Sequence, residues 1–155
     1  MSNTASGAFS GAGLRIGVVA ARFNEVVTER LLRGTMRALR EAGVREEDIE
    51  VVRVPGAFEV PLAADLMAGR GRFDAVVCLG AIVRGETQHH HYIAQAVFSA
   101  LQHVQLARHI PVALGILTTE NLEQALARSG DDPGNKGYEA ARVALECALL
   151  HRQLG

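Results

Sequence analysis

The sequence predicts an α/β fold: a three-layer α/β/α sandwich built on a four-stranded parallel sheet. Three observations carry that expectation. Four short apolar runs, at 14–21, 49–54, 75–83 and 112–117, alternate with helical patterns along the chain. The run at 75–83 is continuous in apolar residues, is bounded by turn signals and is too short for an independent helix, as a strand buried on both faces would be. Each successive pair is joined by a helical crossover, which makes the strands parallel and puts helices over both faces of the sheet.

In order, the first strand over 14–21 is followed by a helix in which Val27, Leu31, Met36 and Leu39 repeat at helical spacing and stop at Gly43, a C-cap residue. The second strand, 49–54, leads into a shorter helix over 60–67. The third, 75–83, precedes a helix carrying Ile93, Val97, Leu101 and Val104, which must end before Pro111 because Pro disfavours helix in the residue ahead of it. The fourth, 112–117, leads to a helix expected to start at a Thr119 cap and close at Gly130. A last helix over 138–150 is expected to bury Val143, Cys147 and Leu150 on one face. The architecture is that of a flavodoxin-like sandwich, with a loose N-terminal arm over 1–13 and one domain over 14–155.

Composition narrows the function classes. The net charge is −1 and the basic residues are scattered, so the chain carries no footprint for nucleic acid or an anionic membrane. No apolar run reaches the roughly 18 residues of a membrane span, and the Ser/Gly/Ala-rich start lacks the basic and apolar regions of a signal peptide. Cys78 and Cys147 read as small hydrophobes within apolar elements, which suits a reducing cytoplasm. A hydrophobic content of 48% against 21% charged residues is high for a small domain, and an oligomer would absorb the surplus. Fifteen of the sixteen basic side chains are Arg; the single Lys is Lys136, in a Gly-flanked segment, where a compact ammonium and a planar guanidinium are not interchangeable.

In parallel α/β sheets, ligands bind beyond the carboxyl ends of the strands, so the segments after the four strands should converge. Ala-Arg-Phe-Asn at 21–24 follows the first, Pro-Gly-Ala-Phe-Glu-Val-Pro at 55–61 the second, Arg84 to His89 the third, and Thr-Thr-Glu-Asn at 118–121 the fourth. Phe23 and Phe58 fall in turns, where a ring can stack on a planar ligand or plug the core beneath a loop. Glu59 can accept hydrogen bonds from ligand hydroxyls, or serve as an acid favoured at a helix start. Gly85, Glu86 and Thr87 precede a helix whose free N–H groups and dipole suit an anion. His89, His90 and His91 point about 100° apart on a helix and cannot close on one metal ion. One of them is better read as an acid/base near neutral pH, leaving His90 and His91 as solvated surface. Arg128 can complement a helix C-terminus or, with Lys136, clamp a phosphate.

These segments resemble lumazine synthase. The likeness runs from about residue 13 to 150, and its carriers are Gly17-Val-Val-Ala-Ala-Arg-Phe-Asn24, Val54-Pro-Gly-Ala-Phe-Glu-Val-Pro61, Leu79-Gly-Ala-Ile-Val-Arg-Gly-Glu-Thr-Gln-His89, Gly115-Ile-Leu-Thr-Thr-Glu-Asn121 and Gly134-Asn-Lys-Gly137, in order. The resemblance implies condensation of 5-amino-6-(D-ribitylamino)uracil with 3,4-dihydroxy-2-butanone 4-phosphate to 6,7-dimethyl-8-ribityllumazine, phosphate and water, without cofactor or metal. By position it implies His89 as the proton-transfer residue and Phe23 as the stacking ring, with Asn24 beside the ribityl chain. Ala57, Phe58 and Glu59 would bind the ribityl hydroxyls, and the Ala81, Ile82 and Val83 backbone would read the pyrimidine. Glu86 and Thr87 would take the phosphate, with Arg128 as its main cation and Lys136 close by.

The chain departs from the family pattern at Leu114, where Phe is common, at Glu86, where a small residue is frequent, and at His91, where an acid is frequent. The resemblance further implies a pentamer whose neighbour supplies Leu114, Arg128 and Lys136, and a pentamer, decamer or sixty-chain shell as the full assembly. The loop at 129–134 carries no insertion relative to shell-forming relatives, which favours the shell. Riboflavin synthase is a candidate partner. The rivals are an archaeal-type riboflavin synthase, which lacks the Pro-Gly-Ala-Phe-Glu and Gly-Asn-Lys-Gly pattern, a flavodoxin-like FMN carrier, which needs a hydroxyl-rich loop after strand one, and a shell protein with weakened chemistry.

Overall fold

A computed structural model describes residues 10–155. Of the arm expected over 1–13, residues 1–9 lie outside the described residues; Gly11 is buried, and its N–H donates to the Ala42 carbonyl at 2.7 Å. The strands are β1 (Ile16–Ala21), β2 (Ile49–Val54), β3 (Ala75–Val83) and β4 (Val112–Thr119), all parallel, in the order β2-β1-β3-β4. The helices are α1 (Glu25–Glu41), α2 (Val60–Ala68), α3 (His89–Arg108), α4 (Leu122–Ala127) and α5 (Lys136–Leu154). This is the flavodoxin-like sandwich that the crossover pattern predicts.

The inner strands β1 and β3 are buried on both faces, whereas the edge strand β2, which carries Glu50 and Arg53, is only partly covered. Along β1, Ile16, Val18 and Ala20 join one core cluster with α1 and α5, while Val19 and Ala21 join a second with α2 and α3. Cys78, in the middle of β3, is fully buried in the second cluster, and burial pushes its thiol pKa up to about 12. Helix α1 ends in a Schellman motif: Gly43 takes a positive φ of 94°, its N–H donates to Arg40, and the Val44 N–H reaches back to the Leu39 carbonyl at 3.0 Å.

Four expectations need correction. β1 starts at Ile16 because Leu14 belongs to a turn, its N–H bonded to the Gly11 carbonyl at 3.0 Å. β4 runs to Thr119, whose carbonyl accepts the Arg84 N–H at 2.9 Å, so Thr119 closes a strand and the cap of α4 is Asn121, with Oδ1 accepting from Gln124 N–H at 2.8 Å. α4 stops at Ala127, short of Gly130. On α5 the buried face is Ala140, Ala141, Ala144, Leu145 and Ala148, whereas Val143 and Leu150 are half exposed and Cys147 only partly covered. The reason is the crossing with α1: a Cβ on Gly137 would collide with the Leu31 carbonyl, and one on Gly34 with the Asn135 side chain. Backbones that close admit only small residues, which turns the bulky row outward.

Candidate active site

At the carboxyl ends of β1, β2 and β3 lies a cleft of about 350 Å³ lined from three segments. The first is the turn after β1. Phe23, 70% exposed, and Asn24 line the cleft from it, so Phe23 is no core plug. Asn24 sits in the left-handed region at φ 65°, which Asn tolerates better than most residues, and its Nδ2 donates to the Ala81 carbonyl at 3.0 Å. The Arg22 and Phe23 N–H groups donate to the carbonyls of Val54 and Pro55 at 2.8 and 2.9 Å, so this turn is fastened both to the end of β2 and to β3.

The second segment is the 3-10 turn Ala57–Glu59, which follows β2 and runs straight into α2. Phe58 is 63% exposed and Glu59 half-buried, both on the cleft; the Glu59 side chain makes no cap bond to α2, which leaves its carboxylate available. A Cβ at Gly56 would come within 3.3 Å of Glu59 Oε1, so a side chain there would nudge the carboxylate. The third segment is the end of β3, Ala81, Ile82 and Val83, with the loop that leads into α3. From that loop Gly85 and Thr87 line the cleft, and His89 and His90 line it from the first turn of α3. Thr87 Oγ1 accepts the His89 backbone N–H at 3.2 Å, fixing the start of the helix while leaving the hydroxyl proton free to donate. His89 is exposed. His90 is half-buried, with its Nδ1 buried and without a hydrogen-bond partner, which corrects its reading as solvated surface; His91 is exposed.

Beside this rim Arg84 Nη1 meets Glu120 Oε1 at 2.8 Å, joining the ends of β3 and β4. That hydrogen bond, with the charge of Arg84, holds the Glu120 carboxyl below its ordinary range.

Four predicted residues do not line the cleft of this chain. Glu86 is exposed on the loop beside it. Leu114, 37% exposed, stands on β4 opposite Cys78, on the α2–α3 side of the sheet edge. Arg128 follows α4, and Lys136 begins α5, which starts there rather than at the expected 138. These two cations nonetheless belong to one corner, since the Lys136 N–H donates to the Arg128 carbonyl at 2.9 Å. Asn135, which sequence reasoning passed over, builds that corner: Oδ1 caps α5 by accepting from Gly137 and Tyr138 N–H at 2.8 and 3.0 Å, while Nδ2 donates to the carbonyls of Arg30 and Gly130 at 3.1 and 2.9 Å. Its signal was an Asn directly before a helix, the usual capping position. Among the described residues no group of three His, Cys, Asp or Glu side chains is arranged to hold a metal ion, and no helix is long and apolar enough to cross a membrane.

Apolar walls, a few polar groups and a histidine at a helix start, all at the carboxyl edge of a parallel sheet, define a small-molecule enzyme of the flavodoxin-like class. Over residues 13–152 the chain matches the 6,7-dimethyl-8-ribityllumazine synthase family, and it belongs to that family. Its activity is therefore that of a transferase of riboflavin biosynthesis, acting on small-molecule substrates, and its family is one of oligomeric assemblies.

Proposed function

We propose that the cleft carries out the lumazine-forming condensation as follows. The pyrimidine of 5-amino-6-(D-ribitylamino)uracil stacks on Phe23, its edge read by the backbone at Ala81, Ile82 and Val83, and its ribityl hydroxyls are taken by the Ala57–Glu59 turn, with Glu59 as acceptor. Asn24 lies beside the ribityl chain and also holds the turn after β1 against β3 through its bond to Ala81. The phosphate of 3,4-dihydroxy-2-butanone 4-phosphate is met by the Thr87 hydroxyl and the Glu86 backbone. The Glu86 carboxylate stays outward, because it would repel that phosphate.

One amine attacks the ketone and a water leaves, phosphate is eliminated, and the second amine closes the ring on the carbonyl so formed with loss of a second water. Each step needs the two reactants held in reach and a proton moved near neutral pH, and His89 supplies the proton transfer. The observation that carries this reading is the meeting of Phe23, the Ala57–Glu59 turn, the β3 edge and His89 around one cleft. Incubating the purified protein with both substrates should produce the absorbance and fluorescence of the lumazine; a flat trace overturns the reading.

The site is completed by a neighbouring subunit in a pentamer, which brings Leu114, Arg128 and Lys136 to the cleft, with Arg128 as the main phosphate cation. Half-exposed Leu114, Val143 and Leu150 support burial against other copies. Co-assembled His89→Ala and Arg128→Ala chains should, at low butanone phosphate, exceed the activity of either variant alone, since some boundaries then pair an intact His89 with an intact Arg128. No such gain places each site within one chain. The short loop at 129–134 favours a sixty-chain shell over a pentamer or decamer, with riboflavin synthase as its partner in the cytoplasm. Light scattering gives the assembly directly.

A further inference from the structure

Among the described residues one buried side-chain nitrogen or oxygen has no hydrogen-bond partner: Nδ1 of His90. An imidazole nitrogen always has a proton to give or a lone pair to fill, and leaving it dry and unpaired works against folding. An apolar ring would fill the same space without that loss. The position therefore carries a polar ring where packing alone does not call for one.

His90 is the second residue of α3, and it lines the cleft beside His89 and Ile93. Its ring meets His91 edge-on, with centroids 6.5 Å apart, and this contact occupies no nitrogen lone pair of the kind Nδ1 offers. The strand order β2-β1-β3-β4 places the turns after β1 and β2 on one side of the cleft and the β3–α3 segment on the other. Phe23 and Glu59 thus belong to the side assigned to the ribityl pyrimidine, and His90 to the side of Gly85 and Thr87, assigned to the phosphorylated ketone.

We propose that His90 is a further substrate-contacting residue: a turn of its ring out of the covered position, where Nδ1 has no partner, brings Nδ1 to the polar end of the phosphorylated four-carbon substrate. The role is distinct from proton transfer at His89 and rests on the reading of the cleft as a lumazine-forming site. A bond to a charged ligand is lost when the nitrogen is removed, and a Phe ring keeps the shape.

Three variants test it by steady-state kinetics on the assembled protein. His90→Phe should raise KM for the butanone phosphate about tenfold, the size expected for one charge-assisted hydrogen bond. It should leave KM for the ribitylaminouracil and kcat close to wild type, with a Tm equal to wild type or higher. His90→Asn, whose amide reaches the Nδ1 position, should recover most of the affinity, whereas His90→Gln, whose amide reaches the Nε2 position, should not. The Asn–Gln contrast keeps the test intact if the Phe variant fails to assemble. An unchanged KM in His90→Phe, or equal behaviour of the Asn and Gln variants, overturns the role of His90 while wild-type product formation leaves the cleft's reaction standing. Absence of product from the wild type overturns both.

Discussion

The segment that leads into α3 and the segment that leads into α5 are built in opposite ways. Residues 84–89 are all exposed, and they are held by the Arg84 N–H to Thr119, the exposed Arg84–Glu120 pair, the Thr87 bond to His89 and the His91 N–H to the Gln88 carbonyl. Residues 129–137 fold around fully buried Ser129 and nearly fully buried Asn135. Ser129 Oγ donates to the Ala125 carbonyl at 2.9 Å, Asn135 makes four bonds, and Thr35 Oγ1 donates to the Gly137 carbonyl at 3.1 Å. The first arrangement can adjust around a ligand; the second is complete before one arrives. Both are proposed to face the same phosphate, so an adaptable hand meets a fixed one.

Mutations should separate the two by what they disturb. His89→Ala should show the largest effect and confine it to rate: kcat down by about a hundredfold to ten-thousandfold with residual turnover, and an unchanged urea midpoint. A stability loss there would mean the α3 segment is not adaptable. Gly137→Ala should do the reverse, costing about 3 kcal/mol of stability in urea unfolding, because the new Cβ meets the Leu31 backbone and cannot be relieved by a rotamer change. Asn135→Ala should cost about 2 kcal/mol through the lost cap and the carbonyls left unpaired, again read by urea unfolding. Arg128→Ala should weaken butanone-phosphate binding, seen as a raised KM, with unfolding unaltered. Glu120→Gln should show the smallest change. Its carboxyl is held below the ordinary range by Arg84, so the pair's contribution is present above that range and disappears as pH falls through the lowered value. The variant should therefore lack the acid-induced fall in amide protection at Arg84 expected of the wild type.

The same contrast explains what the sequence disclosed. Ala75–Val83 was legible to the residue, because a continuous apolar run cut by a charge at each end has few other uses, and Ile49–Val54 was legible from its β-branched residues and the Pro-Gly that follows. The residues around the cleft were legible as positions, since a parallel sheet puts every post-strand turn on one edge, and Phe23, Phe58 and Glu59 stand in such turns. Bonds made across the fold were not legible. Nothing local says that Asn24 reaches Ala81, 57 residues away, or that Asn135 ties α5 to α1. The face of α5 was misread for a related reason. Val143, Cys147 and Leu150 follow helical spacing as an apolar stripe should, but the two glycines at the α1 crossing bring the backbones so near that alanines take the inside. The half-burial of His90 depends likewise on how the first turn of α3 meets the cleft rather than on the triplet itself.

Cys78 gives the folded chain a chemical clock. Its thiol lies sealed in the centre of β3 with its pKa pushed to about 12, so almost no thiolate exists at neutral pH to meet an alkylating reagent. Mass-resolved labelling at Cys78 should then advance only as fast as the central strand opens, and its rate in the native protein should match the unfolding rate extrapolated from urea.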